Sequence, residues 1–363
     1  MLKRIHVTVA VVILLLVSVI VALGSFGAFR LSREEVTGPL PIQTPTPTQT
    51  VTTTTTPSTT LPQTTSTPTQ TPQPSPSSAP TNSPIQTQTP QISSNPTSQP
   101  TQSPTPLALI AYSDLTYGTD PAQKFDIYVP KNAATKMPLI IFVHGGAWIA
   151  GDKDDVSPIA VFIAQQGFVV INMNYRLLPT FSYPAPMQDI QMVLQWVNQN
   201  SQQCKIDVTR IGMSGHSAGG HLISLYALTQ DKNYIVGGST LPRVYTIAPM
   251  AGAFTLEGID ITSPNHENTI GAWLKTANPQ SLGIPIDQID SSDNASFLLL
   301  RGDQDVTSPP AQSILFYEAL VAKGVPAELK IYPGRTHLTL ISGIPNNDEV
   351  AKDLISFFNK NLK

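Results

Sequence analysis

Residues 210–221 read Arg-Ile-Gly-Met-Ser-Gly-His-Ser-Ala-Gly-Gly-His. A short apolar run (210–214) passes directly into Gly215-His216-Ser217-Ala218-Gly219, and residues 218–229 suit a helix. Ser217 therefore sits at the turn between a strand and a helix, where the small neighbours permit a turn too tight for larger side chains. Such a turn lifts the serine hydroxyl above the helix N-terminus, and the Ala218 N–H then faces negative charge developing on a carbonyl oxygen. The pentapeptide alone is a modest signal. Strand before it and helix after it make Ser217 a candidate nucleophile.

Working outward, apolar runs rich in β-branched residues recur at 124–129, 139–143, 168–172, 210–214, 244–248, 297–300 and 328–332. Helix-like segments lie between most of them, at 157–166, 186–199, 218–229 and 310–323. Continuous apolar strands alternating with amphipathic helices predict an α/β fold, with a mostly parallel sheet covered on both faces. The weaker run 111–117 adds an antiparallel strand, for about eight in all. Sites in open α/β sheets form at the carboxyl ends of strands.

Upstream, the run 139–143 leads into His144-Gly145-Gly146-Ala147-Trp148. Glycines there let the backbone approach a ligand and turn its N–H groups inward. Gly145, Gly146 and Ala147, with Gly146 foremost, are the candidate partners of Ala218 in an oxyanion hole. The alternative is an ordinary glycine-rich turn.

A serine nucleophile needs an imidazole to take its proton and a carboxylate to orient that imidazole. In the α/β-hydrolases, which such a serine turn resembles, the chain order is serine, acid, histidine. Of six histidines, His6 lies in the N-terminal apolar region, His144 and His216 belong to the motifs above, and His221 opens the helix after the turn. His266 precedes the last strands without a turn signal. His337 alone follows the final strand, in Tyr332-Pro333-Gly334-Arg335-Thr336-His337, and is the candidate base. Eleven carboxylates lie between Ser217 and His337. Asp303 and Asp305, just after the strand 297–300, have the best context. Asp305 has room to reach past the turn, whereas Asp303 suits capping its backbone.

Five motifs resemble the α/β-hydrolase superfamily across 107–363: HGGAW (144–148), NYRLLP (174–179), GHSAGGHL (215–222), RGDQD (301–305) and YPGRTH (332–337). The resemblance is closest to the carboxylesterase branch of feruloyl/acetyl esterase-like (BD-FAE-like) and arylformamidase-like enzymes, which neighbours the hormone-sensitive-lipase type. His216 before the nucleophile fits this branch, since the lipase type usually has an acidic residue there. The resemblance implies Ser217, Asp305 and His337 as a triad. Hydrolysis by such a triad needs no cofactor or metal, and Tyr175 and Arg176 are expected to support the site rather than react. Arg301 departs from it, standing where His is common, as does 251–255, which lacks an Asp often found in that loop.

The N-terminal third is different in kind. Seventeen of the 34 prolines lie between Pro39 and Pro106, and no charged residue occurs from Val36 to Ser113. From Gln43 to Pro106, 57 of 64 residues are Thr, Ser, Pro or Gln, a composition expected to stay unfolded as a glycosylatable stalk. Ahead of it, 23 uncharged and mostly apolar residues (Val7–Phe29) follow Lys3 and Arg4. That length favours a membrane anchor over a cleaved signal, whose apolar core is usually about 7–15 residues. The expected organisation is an anchor or signal segment (1–35), a stalk (36–106) and a catalytic domain (107–363) held outside the membrane, or secreted after cleavage.

A net charge of -3 excludes a strongly basic nucleic-acid binder, and the single Cys204 excludes an intrachain disulfide framework. The expected partners are a small-molecule or polysaccharide-linked ester and the membrane. Hydrolysis of short-chain or aryl esters is the leading reading. A serine peptidase or amidase, including an arylformamidase-like one, and a non-catalytic binding module are the alternatives. The segment 250–293 is either a cap over the site or a surface excursion.

Overall fold

The structure is a computed structural model that describes residues 106–131, 133–235, 241–257, 270–275, 277 and 280–363. The expected anchor (1–35) and all but the last residue of the expected stalk (36–106) lie outside the described residues. No helix among the described residues is long and apolar enough to cross a membrane.

Each expected apolar run forms a strand: β1 (Leu109–Thr116), β2 (Lys124–Pro130), β3 (Met137–Val143), β4 (Val169–Met173), β5 (Ile206–His216), β6 (Thr246–Met250), β7 (Ser296–Gly302) and β8 (Ala327–Tyr332). They make one sheet in the order β1-β2-β4-β3-β5-β6-β7-β8. The pairs from β4 through β8 are parallel. β1 pairs antiparallel with β2 as expected, and β2 is also antiparallel to β4. Helices α1 (Ser157–Gln165), α2 (Ala185–Asn200), α3 (Ala218–Thr229), α4 (Ala311–Ala322) and α5 (Glu349–Leu362) cover it.

The central strand β3 shows why the sheet needs both layers. Leu139, Ile141 and Val143 join one core, with residues of α2, α3 and α4. Ile140 and Phe142 join the other, with residues of α1 and α5. Successive side chains of a strand point to opposite faces, so an unbroken apolar run demands cover on each.

The antiparallel end has its own fastening. Lys153 Nζ, on a buried side chain between β3 and α1, lies 3.1 Å from Asp114, 3.1 Å from Asp126 and 3.0 Å from Asp154. Asp126 is itself buried on β2. Replacing Lys153 with Met leaves that carboxylate without its counter-charge, which typically costs about 3 kcal/mol or more. Urea unfolding of Lys153→Met should show a loss of that order; a midpoint equal to wild type would contradict this role.

Candidate active site

Ser217 lies between β5 and α3 with φ 56° and ψ −119°, a conformation that non-glycine residues rarely adopt. Such strain costs on the order of 1–3 kcal/mol and persists only where the surroundings impose it. Its N–H donates to the Met250 carbonyl at 2.8 Å, and its own carbonyl accepts from His221 at 3.0 Å as the helix begins. Gly219 shows how tightly the turn is held: a Cβ there would lie 2.1 Å from the Val143 carbonyl oxygen and 2.6 Å from that of His144. The helix therefore rests on the end of β3, beside the glycine-rich loop.

Gly145 sits against the serine, since a Cβ on it would lie 3.2 Å from Ser217 Cβ. The backbone then runs through positive φ at Gly146 (117°), Ala147 (52°) and Trp148 (61°). The Gly146 carbonyl turns away to accept from Ile149 and Ala150, both at 3.0 Å. Among the described residues, no protein acceptor takes the N–H groups of Gly145, Gly146 or Ala147. Ala218 is the first residue of α3, where backbone N–H groups lack intrahelical acceptors. The four expected oxyanion donors thus belong to two segments that pack on each other beside Ser217.

His144 supports that loop. Its Nδ1–H donates to the Gly145 carbonyl at 2.6 Å, and its ring stacks on Tyr175 at 4.4 Å. Arg176 pairs through Nε with the buried Asp189 at 2.8 Å, and its N–H donates to the same carboxylate at 2.8 Å. The described part of 250–293 packs inward: Trp273 is fully buried, stacks on Trp148 at 5.9 Å and meets His221 edge-on at 5.4 Å. It underlies the loop and the start of α3.

Of the two aspartates after β7, Asp305 meets the histidine. His337 Nδ1 donates to Asp305 Oδ2 at 2.8 Å, which leaves Nε2 as the basic nitrogen. Asp305 Oδ1 accepts the N–H groups of Thr307 at 3.0 Å and Ser308 at 2.9 Å. Burial opposes its ionisation, but the His337 hydrogen bond and charge, the Ser308 N–H and Arg301 outweigh it and hold the carboxyl below its ordinary range. Asp303 instead accepts the Gly334 N–H at 2.7 Å, stitching the two loops together. Gly302 allows that approach, because a Cβ on it would lie 2.0 Å from the Arg335 carbonyl oxygen.

Two contacts went unanticipated in the sequence. Arg301 donates through Nη1 to Asp305 Oδ2 at 3.0 Å. His216 donates through Nε2 to the His337 carbonyl at 2.9 Å, with the rings 4.6 Å apart, so the residue before the serine holds the segment bearing the base. A charged residue closing the run FLLLR was the available signal for the first; a contact across 121 positions gave none for the second.

The sheet order, the α/β layers and this arrangement at the strand ends are those of the α/β-hydrolase fold. A truncated carbohydrate esterase from gut microbiota has a solved structure that aligns with a TM-score of 0.60 at 23% identity, covering 69% of this chain and 95% of that one. The BD-FAE family model matches residues 125–320, more than half of the chain, and the chain belongs to that family. Isoprenylcysteine alpha-carbonyl methylesterase ICME of Arabidopsis thaliana is 27% identical over 258 residues, covering 67% of this chain and 60% of that protein. Esterase LipC of Mycobacterium tuberculosis is 29% identical over 224 residues, covering 57% and 54%. The chain thus spans only 54–60% of the length of these two curated relatives.

Three of these histidines have a consequence for stability. Burial, reinforced by the charge of His337, pushes His216 down to about 3; burial pushes His221 down to about 4 and lowers His144 as well. Each folds in its neutral form, so the stability it contributes is complete above its ordinary value of 6.5 and is lost as pH falls towards the folded value. At about pH 5 the cost is about 2 kcal/mol for each of His216 and His221. Urea midpoints should therefore fall between neutral pH and about pH 5, above the range in which most carboxylates titrate, and His221→Gln should flatten that fall. A midpoint constant over this window would contradict neutral burial.

Proposed function

We propose that the chain is a serine carboxylic-ester hydrolase that works through an acyl-enzyme on Ser217. The 2.8 Å contact from His337 Nδ1 to Asp305 Oδ2, at the same sheet edge as Ser217, carries this reading. His337 Nε2 takes the hydroxyl proton as Ser217 attacks the ester carbonyl, and Asp305 stabilises the resulting imidazolium. The N–H groups of Gly146 and Ala218, with Gly145 and Ala147 beside them, receive the oxyanion; one such donor is typically worth about 3 kcal/mol. His337 then returns the proton to the leaving alcohol and activates the water that releases the acid.

The names of the relatives support ester chemistry, and the carbohydrate esterase supports the fold that hosts it. Short-chain acetyl-type or aryl esters, free or attached to polysaccharide, are the proposed substrates. Exposed Ile149, Val306 and Leu338 each adjoin a site loop and suit an apolar group beside the scissile bond. The apolar run at 7–29 and the Thr/Ser/Pro/Gln tract behind it support a domain held outside a membrane.

Fluorophosphonate labelling and hydrolysis of short-chain p-nitrophenyl esters test the reading together. Wild type should label once, on Ser217, and Ser217→Ala should lose labelling and at least about 10⁴-fold in kcat. Full activity in Ser217→Ala would remove the serine from the mechanism. Faster turnover of an aryl formamide than of any ester, across a panel that includes acetylated xylan, would move the assignment to amide hydrolysis.

A further inference from the structure

Arg301 is fully buried at the end of β7, and every nitrogen of its guanidinium is engaged. Nε donates to Ser313 Oγ of α4 at 2.9 Å. Nη2 donates to the Gly252 carbonyl after β6 at 2.6 Å. Nη1 donates to the Ser308 carbonyl and to Asp305 Oδ2. That carboxylate oxygen is the one that accepts His337 Nδ1. One oxygen therefore lies between a permanent cation and the imidazole that must become a cation during turnover.

The surroundings leave Arg301 as the dominant fixed charge on this pair. His216, at the end of β5, is kept neutral by burial, which pushes it down to about 3. Arg335, on the base's own loop, is turned onto Asp348 at 2.9 Å and Glu349 at 3.4 Å. Asp303 is engaged by the Gly334 N–H. Among the described residues, α4 and the loop after β6 meet Arg301 with the Ser313 hydroxyl and the Gly252 carbonyl, and Glu257 is exposed. Burial pulls Arg301 itself down to about 10, opposed by Asp305, so it stays charged throughout the neutral range.

We propose that Arg301 is a positioning residue for the acid of this site: its fork locks Asp305 Oδ2 towards His337 Nδ1. The cation also helps to keep Asp305 ionised. A residue without the fork leaves that oxygen free to turn from the ring, and the imidazolium formed in turnover loses its aligned counter-charge. The inference rests on the ester-hydrolase reading and concerns the alignment of that same site.

The test compares full-length wild type with Arg301→Gln, Arg301→Met and Arg301→Lys, and with Asp305→Ala alone and combined with Arg301→Met, using kcat and KM for p-nitrophenyl acetate and thermal unfolding. The neutral variants should lose about tenfold or more in kcat with KM nearly unchanged, and Arg301→Met should cost no further kcat once Asp305 is replaced by Ala. Arg301→Lys, which keeps the charge without the fork, should also lose kcat. Met fills similar volume without polar atoms and serves if Gln fails to fold. A folded neutral variant with wild-type kcat would overturn the proposal, whatever its unfolding temperature, as would an equal loss from Arg301→Met with and without Asp305. Wild type that neither labels with fluorophosphonate nor turns over the ester would instead sink the functional reading.

Discussion

The approach of α3 to the end of β3 is the constraint on which the site depends. Gly219 has room for no side-chain atom against the Val143 and His144 carbonyls, and Ser217 is held in a backbone conformation that its residue type avoids. Neither feature stabilises the fold by itself. Together they set the serine beside Gly145 and place the first N–H of a helix next to those of Gly145, Gly146 and Ala147, which have no protein acceptor among the described residues. The strain is local, and two buried cores on opposite faces of the sheet enforce it.

The acid and base loops meet by a different device. Backbone bonds join them directly: the Asp303 N–H donates to the Tyr332 carbonyl at 3.2 Å and the Gln304 N–H to the Arg335 carbonyl at 3.0 Å. Parallel neighbours β7 and β8 end in register at Gly302 and Tyr332, so the loops leave the sheet side by side. His216 reaches in from β5, two strands from β7 in the sheet, and fixes the His337 carbonyl. The geometry of the pair thus depends on strand order as much as on the residues themselves.

Much of this fold was legible because its evidence is local. Runs such as LIIFV (139–143) and FVVIN (168–172) announce strands buried on both faces, and small residues around Ser217 announce the tight turn. Direction was less legible: an apolar run reads the same whether its neighbour is parallel or antiparallel, so the β2–β4 pairing was not foreseen. The helix α5 has a clear signature in Asp348, which accepts the Ala351 N–H at 3.0 Å, and in Val350, Leu354, Phe357 and Phe358 at helical spacing. The helix-like segments expected from the sequence end with 310–323 and do not include it. The choice between Asp303 and Asp305 stayed open on spacing because both lie on one loop, and only the fold shows which carboxylate faces the imidazole.

What separates His337 from the other described histidines is the partner of its ring. His144, His216 and His221 each donate to a backbone carbonyl, of Gly145, His337 and Gly283 in turn. A carbonyl fixes a tautomer but supplies no net charge to balance a proton gained at the other nitrogen. In a buried setting such a ring stays neutral and acts as a strut. His337 donates to a carboxylate, and its side chain is 12% exposed while that of Asp305 is 0%. The ring thus has a counter-charge behind it and solvent access, the two conditions a base needs to take up a proton and release it. Sequence order marked His337 by its place after the last strand, and the physical ground for that choice is the acceptor it found there.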